Sequence, residues 1–138
     1  MIVGIGVDLI EVERVEKVLE KHSGRFAARV YTEIEQAYCS GKARPSLHYA
    51  ARFAAKEAFL KAIGTGLTQG VSWREIGVVH LPSGQPMLQL EGRALELMSA
   101  RGGERALVSL SHSKGHACAV VLIEGVGNAP VAPDQAPL

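Results

Sequence analysis

Residues 48–63 read HYAARFAAKEAFLKAI, and this stretch decides the fold. It is rich in alanine, leucine, lysine and glutamate and contains neither glycine nor proline, a composition that favours a helix over its whole length. The residues that follow, Gly64, Thr65 and Gly66, supply flexible positions at which a helix commonly ends. We therefore predict a central helix from His48 to Ile63.

The segments before this helix predict a strand and two further helices. Ile2 to Ile10 is almost wholly apolar and rich in β-branched residues, which suits a buried strand. From Val12 to Phe26 apolar positions recur at helical spacing, with a break expected near the glycine of this segment. These positions are Val12, Val15, Leu19, His22 and Phe26. Thr32, followed three residues later by Glu35, is a capping-box signature and predicts a short helix to about Ser40.

The second half of the chain predicts two pairs of strands with a helix between them. Ser72 to His80 and Pro86 to Leu90 form the first pair, and a helix follows from Glu91 to about Arg101. Ala106 to Ser113 and His116 to Ile123 form the second pair, because the two-residue link between them suits a tight hairpin. The predicted fold class is α+β, a single compact domain with a small antiparallel sheet packed on helices.

Length and composition set the domain organisation. With 138 residues the chain fits one compact domain, because two separate cores would each be too small to offset the entropy of folding. We assign residues 1–124 to this domain. Residues 125–138 carry three prolines and little to bury, and we expect them to form a disordered tail.

Charge and cysteine content exclude several classes of function. The formal net charge of +1 gives no global field to attract nucleic acid or an anionic membrane, and no apolar run reaches the roughly 18 residues that cross a bilayer. The cysteines, Cys39 and Cys118, lie far apart and lack metal-ligand spacing, so we expect reduced, inert thiols. The default compartment is cytoplasmic.

One acidic residue interrupts the first strand. Alternation puts Gly4, Gly6 and Asp8 on one face, where the glycines leave space for something to approach the carboxylate. A carboxylate in an apolar strand is costly unless it is paired, hydrogen-bonded or bound to a metal. Asp8 is therefore either a metal ligand or a cap for the following helix.

The central helix carries two like charges one turn apart. Arg52 and Lys56 are four residues apart and share a stripe, where their repulsion is unfavourable. An anion bound between them, such as phosphate, would turn this stripe into a binding site.

A second charged pair, Glu57 and Lys61, lies on another face of the same helix. Ala50 and Ala54 share that side, so a ligand could approach closely. A surface salt bridge is the plainer interpretation. Together with Asp8, however, Glu57 would supply two carboxylates beside cations, which is the minimal set for binding a metal diphosphate.

Two further clusters have both an ordinary and a functional interpretation. On the first helix a stripe of cations lies across from the glutamates, and it is either a solvated face or a docking surface for an acidic partner helix. We call it the basic stripe, and its members are Arg14, Lys17, Lys21 and Arg25. The run Ser109 to His116 concentrates hydrogen-bond donors at the hairpin tip, which is either plain surface or a contact for phosphate or nucleotide.

Three segments together resemble the holo-acyl-carrier-protein synthase family, the small class of phosphopantetheinyl transferases. They are GIGVDLIE at residues 4–11, RFAAKEAFLKA at residues 52–62 and SLSHS at residues 109–113. Their order and separation across residues 1 to about 123 make the match specific. The resemblance implies transfer of 4′-phosphopantetheine from coenzyme A (CoA) to a serine of apo acyl carrier protein, with release of adenosine 3′,5′-bisphosphate.

The resemblance also implies roles for individual residues. Asp8 and Glu57 would coordinate Mg²⁺ with the CoA diphosphate, Lys61 would face the phosphates, and Glu57 would accept the serine proton directly or through a metal-bound water. Glu57 and Lys61 are thus the catalytic candidates. The implied CoA contacts are Lys42, Arg44, Arg52, Lys61, Gly64, Pro86, His112 and Ser113. The family further implies a homotrimer with sites at subunit interfaces, and an acidic carrier protein as the partner of the basic stripe.

Two other functions remain open at this point. Another Mg²⁺-dependent nucleotide transferase could use the same carboxylates without any carrier protein. A non-catalytic adaptor could bind an acidic helical partner through the basic stripe alone.

Overall fold

The computed structural model describes residues 1–22 and 24–126, which form an α+β structure as predicted. Its helices are α1 Val12–Lys21, α2 Arg25–Val30, α3 Glu33–Ser40, α4 Pro45–Ile63 and α5 Gly92–Ala100. Its strands are β1 Ile2–Glu11, β2 Ile76–His80, β3 Pro86–Leu90, β4 Gly103–His112 and β5 His116–Gly125. The predicted tail lies outside the described residues except for its first two positions, and the first of these, Gly125, ends β5 instead.

The strands form two separate antiparallel sheets. The larger has the order β1-β5-β4, with β5 in the centre, and the smaller is the β2–β3 hairpin. Leu9 pairs with Cys118, and Cys118 pairs with Ser111 on its other side, so β1 and β4 flank β5 over most of their length. The hairpin between β4 and β5 closes through Lys114-Gly115 as expected, since the Ser113 amide donates to the His116 carbonyl.

Helix α4 is the centre of the molecule. It packs across the inner face of the large sheet, against β1 and β5, and it also contacts α1, α3 and β2. Its alanines are buried where the sheet approaches most closely, and its larger apolar residues, Phe59, Leu60 and Ile63, fill the core beside them. Helix α4 thus contacts both sheets and two of the other helices, so it connects the parts of the fold.

The two glycines of β1 make room for α4. A Cβ atom added at Gly6 would overlap the carbonyl oxygen of Ala58, and one added at Gly4 would overlap that of Ala62. The prediction that these glycines leave space for a ligand to approach Asp8 is therefore wrong, because the backbone of α4 fills that space. They instead bring β1 close enough to α4 for Asp8 to lie beside the helix.

The opposite face of the large sheet is apolar and exposed. Ile5, Val7 and Leu9 of β1 leave 65%, 54% and 67% of their surface accessible, and Leu107 of β4 leaves 37%. Ile5 and Val7 lie directly opposite Leu122 and Val120 of β5, so these side chains share one face. We call this surface the outer sheet face. A contiguous apolar surface of this kind marks an interaction site.

Several predicted boundaries are confirmed by local hydrogen bonds. Thr32 and Glu35 form both halves of the capping box that begins α3. Gly64 ends α4 with φ 75°, and its amide donates to the carbonyl oxygen of Leu60. The helix after β1 breaks at Gly24, which has φ 85°.

Helix α4 begins at Pro45 instead of the predicted His48, because proline suits the first turn of a helix.

Two predictions of local structure are wrong. Residues 73–75 form a 3₁₀ turn instead of the first part of a strand, because Glu75 completes a capping box with Ser72. His22, counted among the apolar positions of the first helix, is exposed and lies beyond the end of α1.

Among the described residues, no helix is both long enough and apolar enough to cross a bilayer.

The close approach at Gly6 can be tested by adding one methyl group. Gly6→Ala is expected to lower the free energy of unfolding by at least about 1–3 kcal/mol, because the methyl would meet helix backbone that cannot move aside cheaply. The matched control is Gly115→Ala at the hairpin tip, where a Cβ would meet open space. Chemical denaturation of both variants measures the effect, and equal stabilities would contradict this account of the β1–α4 packing.

Candidate functional site

The first predicted group of site residues converges beside α4. The Nζ atom of Lys61 donates to Asp8 Oδ1 at 3.0 Å and to the Val7 carbonyl oxygen at 3.0 Å. Asp8, Glu57 and Lys61 line the same cleft, which has a volume of about 370 Å³. Arg14 lines it as well. Asp8 therefore does not cap α1, and Lys61 pairs with Asp8 instead of with Glu57.

Electrostatics in this cleft favour an added cation. Burial, followed by the negative charge of Asp8, raises the pKa of Glu57 above its ordinary value, while Lys61 and Arg14 oppose the rise. Two carboxylates that repel each other across a cleft are the donor set that a hard divalent cation prefers. The described residues hold no group of three or more acidic, histidine or cysteine side chains that could bind a metal. Asp8 and Glu57 thus fit Mg²⁺ only if a ligand and water complete its coordination.

The rest of the cleft is apolar. The contributing residues are Leu9, Ile10, Val15, Val18, Phe26 and Phe53. They come from the end of β1, from α1 and α2, and from the middle of α4. An apolar wall beside charged groups lowers the local dielectric and strengthens the electrostatic interactions within the cleft.

The basic stripe is exposed, but it does not lie on one helix as predicted. Arg14, Lys17 and Lys21 belong to α1, whereas Arg25 begins α2. Lys17 also forms an ion pair with Glu13 at 3.1 Å, so this glutamate does not lie across the helix from the cations. Arg14 is the member of the stripe that also lines the cleft.

A second group of predicted residues forms around Tyr38, which the sequence had not singled out. The guanidinium carbon of Arg52 lies 4.1 Å from the centre of the Tyr38 ring, and Lys42 Nζ lies 4.4 Å from it. The His80 ring stacks on Tyr38 at 4.6 Å, and its Nδ1 atom lies 3.1 Å from Arg52 Nη2. His48 contacts Tyr38 edge-on at 5.9 Å. We call these five residues the cation patch.

The cation patch has the properties of an anion site. Burial, followed by the charges of Arg52 and Lys42, lowers the pKa of both His48 and His80. Arg52 is 2% exposed, and its Nε atom is the buried side-chain polar atom without a hydrogen-bond partner among the described residues. The neighbouring charges of Arg52 and Lys42 would be stabilised by a bound anion.

The prediction that Arg52 and Lys56 share one bound anion is wrong. Lys56 is fully buried, and its Nζ atom donates to Glu35 Oε1 at 2.7 Å and to the carbonyl oxygens of Trp73 and Ile76. The carboxylate of Glu35 already neutralises it. Burial lowers the pKa of Lys56, and the charge of Glu35 opposes this effect.

The space beside Ala50 and Ala54 is likewise closed to ligands. Both residues are fully buried in the protein core. The prediction that their small side chains let a ligand approach α4 is therefore wrong at these two positions. Glu57 and Lys61 reach solvent further along the helix, through the cleft.

The remaining predicted contacts lie near the cation patch, except for Gly64. Arg44 donates from Nη1 to the Lys114 carbonyl oxygen at 2.6 Å, which ties the start of α4 to the hairpin tip. The His112 ring lies 6.1 Å from that of His48, and Ser113 follows it at the same exposed tip. Pro86 pairs with His80 across the small sheet. Gly64 instead ends α4, next to Arg101.

The predicted CoA contacts thus divide between the acidic cleft and the cation patch. Tyr38, His48 and His80 are the members of the patch that sequence reasoning missed. Tyr38 with Lys42, and His48 with Arg52, are each four residues apart, so helical spacing could have paired them. His80 follows a buried strand segment in another part of the chain, and only the tertiary fold brings it to Arg52.

The chain is similar to known proteins over most of its length. Residues 4–121 match the family model described as the 4′-phosphopantetheinyl transferase superfamily. The chain is 46% identical over 126 residues to the holo-[acyl-carrier-protein] synthase of Syntrophus aciditrophicus. The aligned region covers 91% of this chain and 98% of that relative.

Solved structures show the same fold. The holo-[acyl-carrier-protein] synthase of Neisseria meningitidis superposes with a TM-score of 0.81 at 37% identity, over 90% of this chain and 99% of that one. The Bacillus anthracis holo-(acyl-carrier-protein) synthase, solved in complex with CoA (3′,5′-ADP), superposes with a TM-score of 0.74 at 39% identity, over 91% and 98% of the two chains.

Proposed function

This chain belongs to the 4′-phosphopantetheinyl transferase superfamily, and we propose that it transfers the phosphopantetheine arm of CoA to a serine of apo acyl carrier protein. The observation that carries the proposal is the convergence of Asp8, Glu57 and Lys61 in one cleft bordered by the basic stripe. The carboxylates suit a cation bound to diphosphate, and the stripe suits an acidic protein substrate.

The chemistry follows from the charges of these residues. The serine oxygen attacks the β-phosphorus of CoA, the bond between the two phosphates breaks, and adenosine 3′,5′-bisphosphate leaves. Glu57 accepts the serine proton, directly or through a water molecule. Lys61 neutralises charge that develops on the phosphate oxygens.

Mg²⁺ is the cofactor of this proposal, held by Asp8 and Glu57. When bound, it supplies charge neutralisation and orientation for the diphosphate. Lys61 already approaches Asp8 at 3.0 Å with a side chain that is half exposed, so it can move to a phosphate oxygen at little cost.

We assign the 3′-phosphate of CoA to the cation patch together with the exposed His112 and Ser113. The support is the pair of cations, Arg52 and Lys42, that lies against the Tyr38 ring. Arg44 and Pro86 border the same surface, whereas Gly64 ends α4 outside it.

The transferase assignment predicts a defined mass change. Incubation of the protein with CoA, Mg²⁺ and apo acyl carrier protein is expected to add one phosphopantetheine to the carrier, and mass spectrometry of the intact carrier measures it. Asp8→Ala and Glu57→Ala are expected to lower kcat/KM by at least about a hundredfold, because each removes a charge used in the transition state. Chelation of Mg²⁺ is expected to stop the reaction.

Three outcomes of this assay separate the candidate functions. No mass gain by the carrier under any condition would favour the non-catalytic adaptor. Modification of a different acceptor without carrier would favour another nucleotide transferase. Full activity in Asp8→Ala and Glu57→Ala would remove the cleft from the reaction.

The basic stripe is our proposed docking surface for the acidic carrier protein. Reversing Lys21 and Arg25 to glutamate is expected to raise the KM for carrier by about tenfold with little change in the KM for CoA, because charges outside the cleft act on association. The matched control is Arg74→Glu, an exposed cation in the 3₁₀ turn at residues 73–75, away from the outer sheet face. Steady-state kinetics with each substrate varied in turn measure the effect, and unchanged carrier kinetics would rule the stripe out.

We also propose that the protein is a homotrimer with active sites at its subunit interfaces. The apolar outer sheet face supports an interface, since single chains rarely expose a surface of this kind. The division of CoA contacts between cleft and cation patch supports shared sites, in which one protomer supplies the acidic cleft and its neighbour the cations.

A charge on the outer sheet face tests this assembly. Val7→Glu is expected to convert the trimer to monomers and to lower the transfer rate at least about tenfold, because an unpaired charge at an apolar interface is strongly disfavoured. The control is Ile34→Glu on α3, where an isoleucine that is 59% exposed lies outside that face. Light scattering coupled to size-exclusion chromatography measures the mass. A monomeric wild-type protein would contradict the proposal.

A further inference from the structure

The most unusual feature outside the reaction cleft is the buried ion pair between Glu35 and Lys56. Both side chains are fully inaccessible to solvent, and their charged atoms lie 2.7 Å apart. Glu35 Oε1 also accepts from the Thr32 amide, and Oε2 accepts from the Val78 amide. The pair is therefore hydrogen-bonded to the backbone as well as internally neutral.

This ion pair lies where the three elements of the cation patch meet. Glu35 belongs to α3, which carries Tyr38 and leads into Lys42. Lys56 lies one turn after Arg52 on α4 and two turns after His48. The Val78 amide is in β2, two residues before His80. One carboxylate and one ammonium thus join all three elements directly behind the patch.

Stability alone is a poor explanation for such a pair. Removing two charges from water is costly, and apolar residues of similar size often replace buried ion pairs without loss of stability. Directional hydrogen bonds, in contrast, fix the separation and rotation of the elements that they join. The capping box of α3 needs only Oε1 of Glu35, so the contacts to Lys56 and Val78 are additional.

We propose that Glu35 and Lys56 are positioning residues that hold Tyr38, Arg52 and His80 in the arrangement that binds the 3′-phosphate of CoA. This proposal rests on the assignment of that phosphate to the cation patch. Neither residue is assigned a contact with CoA, because their charged atoms are already hydrogen-bonded to each other and to the backbone. Their effect reaches the ligand through the spacing of α3, α4 and β2, which sets the 4.1 Å contact of Arg52 with Tyr38 and the 3.1 Å contact of Arg52 with His80.

The test compares two donors that differ only in the 3′-phosphate, CoA and 3′-dephospho-CoA. Glu35→Gln keeps the size of the side chain and removes its charge. We expect the KM for CoA to rise about tenfold, the effect of one lost charge-assisted contact, with kcat within about twofold of wild type. The KM for 3′-dephospho-CoA is expected to stay unchanged, since that donor makes no use of the patch.

Glu75→Gln is the matched control. Glu75 also completes a capping box, with Ser72, and also accepts from a backbone amide of another element, Arg93. It touches no member of the cation patch. We expect wild-type KM values for both donors in this variant, which separates loss of position from general loosening of the fold.

A second variant keeps the proposal testable if Glu35→Gln does not fold. The double variant Glu35→Met with Lys56→Met removes both charges and retains apolar packing. Its thermal unfolding is followed by circular dichroism, and the same selective rise in the KM for CoA is expected.

The possible results have distinct meanings. Equal rises in KM for both donors, a fall in kcat alone, or wild-type kinetics in a folded double variant would overturn the positioning role. If wild-type protein uses both donors equally well, the phosphate assignment of the patch fails and this proposal fails with it. If wild-type protein transfers nothing from either donor, the proposed transferase function itself is wrong.

Discussion

The structure depends on the close approach of one strand to one helix. Gly4 and Gly6 present only backbone to the carbonyl oxygens of Ala62 and Ala58, so β1 lies nearer to α4 than strands with side chains could. That contact brings Asp8 of the strand into the cleft that Glu57 of the helix also lines. The pairing of a strand carboxylate with a helix carboxylate is thus a direct consequence of two missing Cβ atoms.

The same strand borders two different surfaces of the molecule. Because side chains alternate along a strand, the glycine face of β1 packs on α4 while Ile5, Val7 and Leu9 point away from the core. The second face has no cover within the described residues. A strand that contributes to the reaction cleft on one side therefore contributes an apolar contact surface on the other.

Local interactions were predictable from the sequence, and long-range ones were not. The capping box of Thr32 and Glu35 and the glycine end of α4 depend on residues within one turn, so their spacing identifies them. Ser72 and Glu75 carry the same signature, and it marks the 3₁₀ turn that the β-branched pattern of this segment does not predict. The burial of Lys56 depends on Glu35, which is distant along the chain, and no local pattern reveals that pairing.

The site was predictable to the same extent. Asp8 stands out because a carboxylate in an apolar strand needs a partner, and the family resemblance groups it with Glu57 and Lys61. The structure brings these three residues together. The alternation of side chains along β1 was predicted correctly. The glycine face of this strand, which was expected to be open to a ligand, is covered by the backbone of α4. Tyr38 and His80 gave no comparable signal, because an aromatic residue on a helix and a histidine at the end of a strand are common on ordinary surfaces.

The junction between β1 and α1 contains no loop, since Glu11 ends the strand and Val12 begins the helix. The Val12 amide is further fixed by a hydrogen bond to the Gly115 carbonyl oxygen at 3.0 Å. Asp8 and Arg14 consequently lie on a strand and a helix that are joined without a loop. In the docking that we propose, the orientation of a partner protein bound along α1 relative to the Asp8 carboxylate is set by this direct connection.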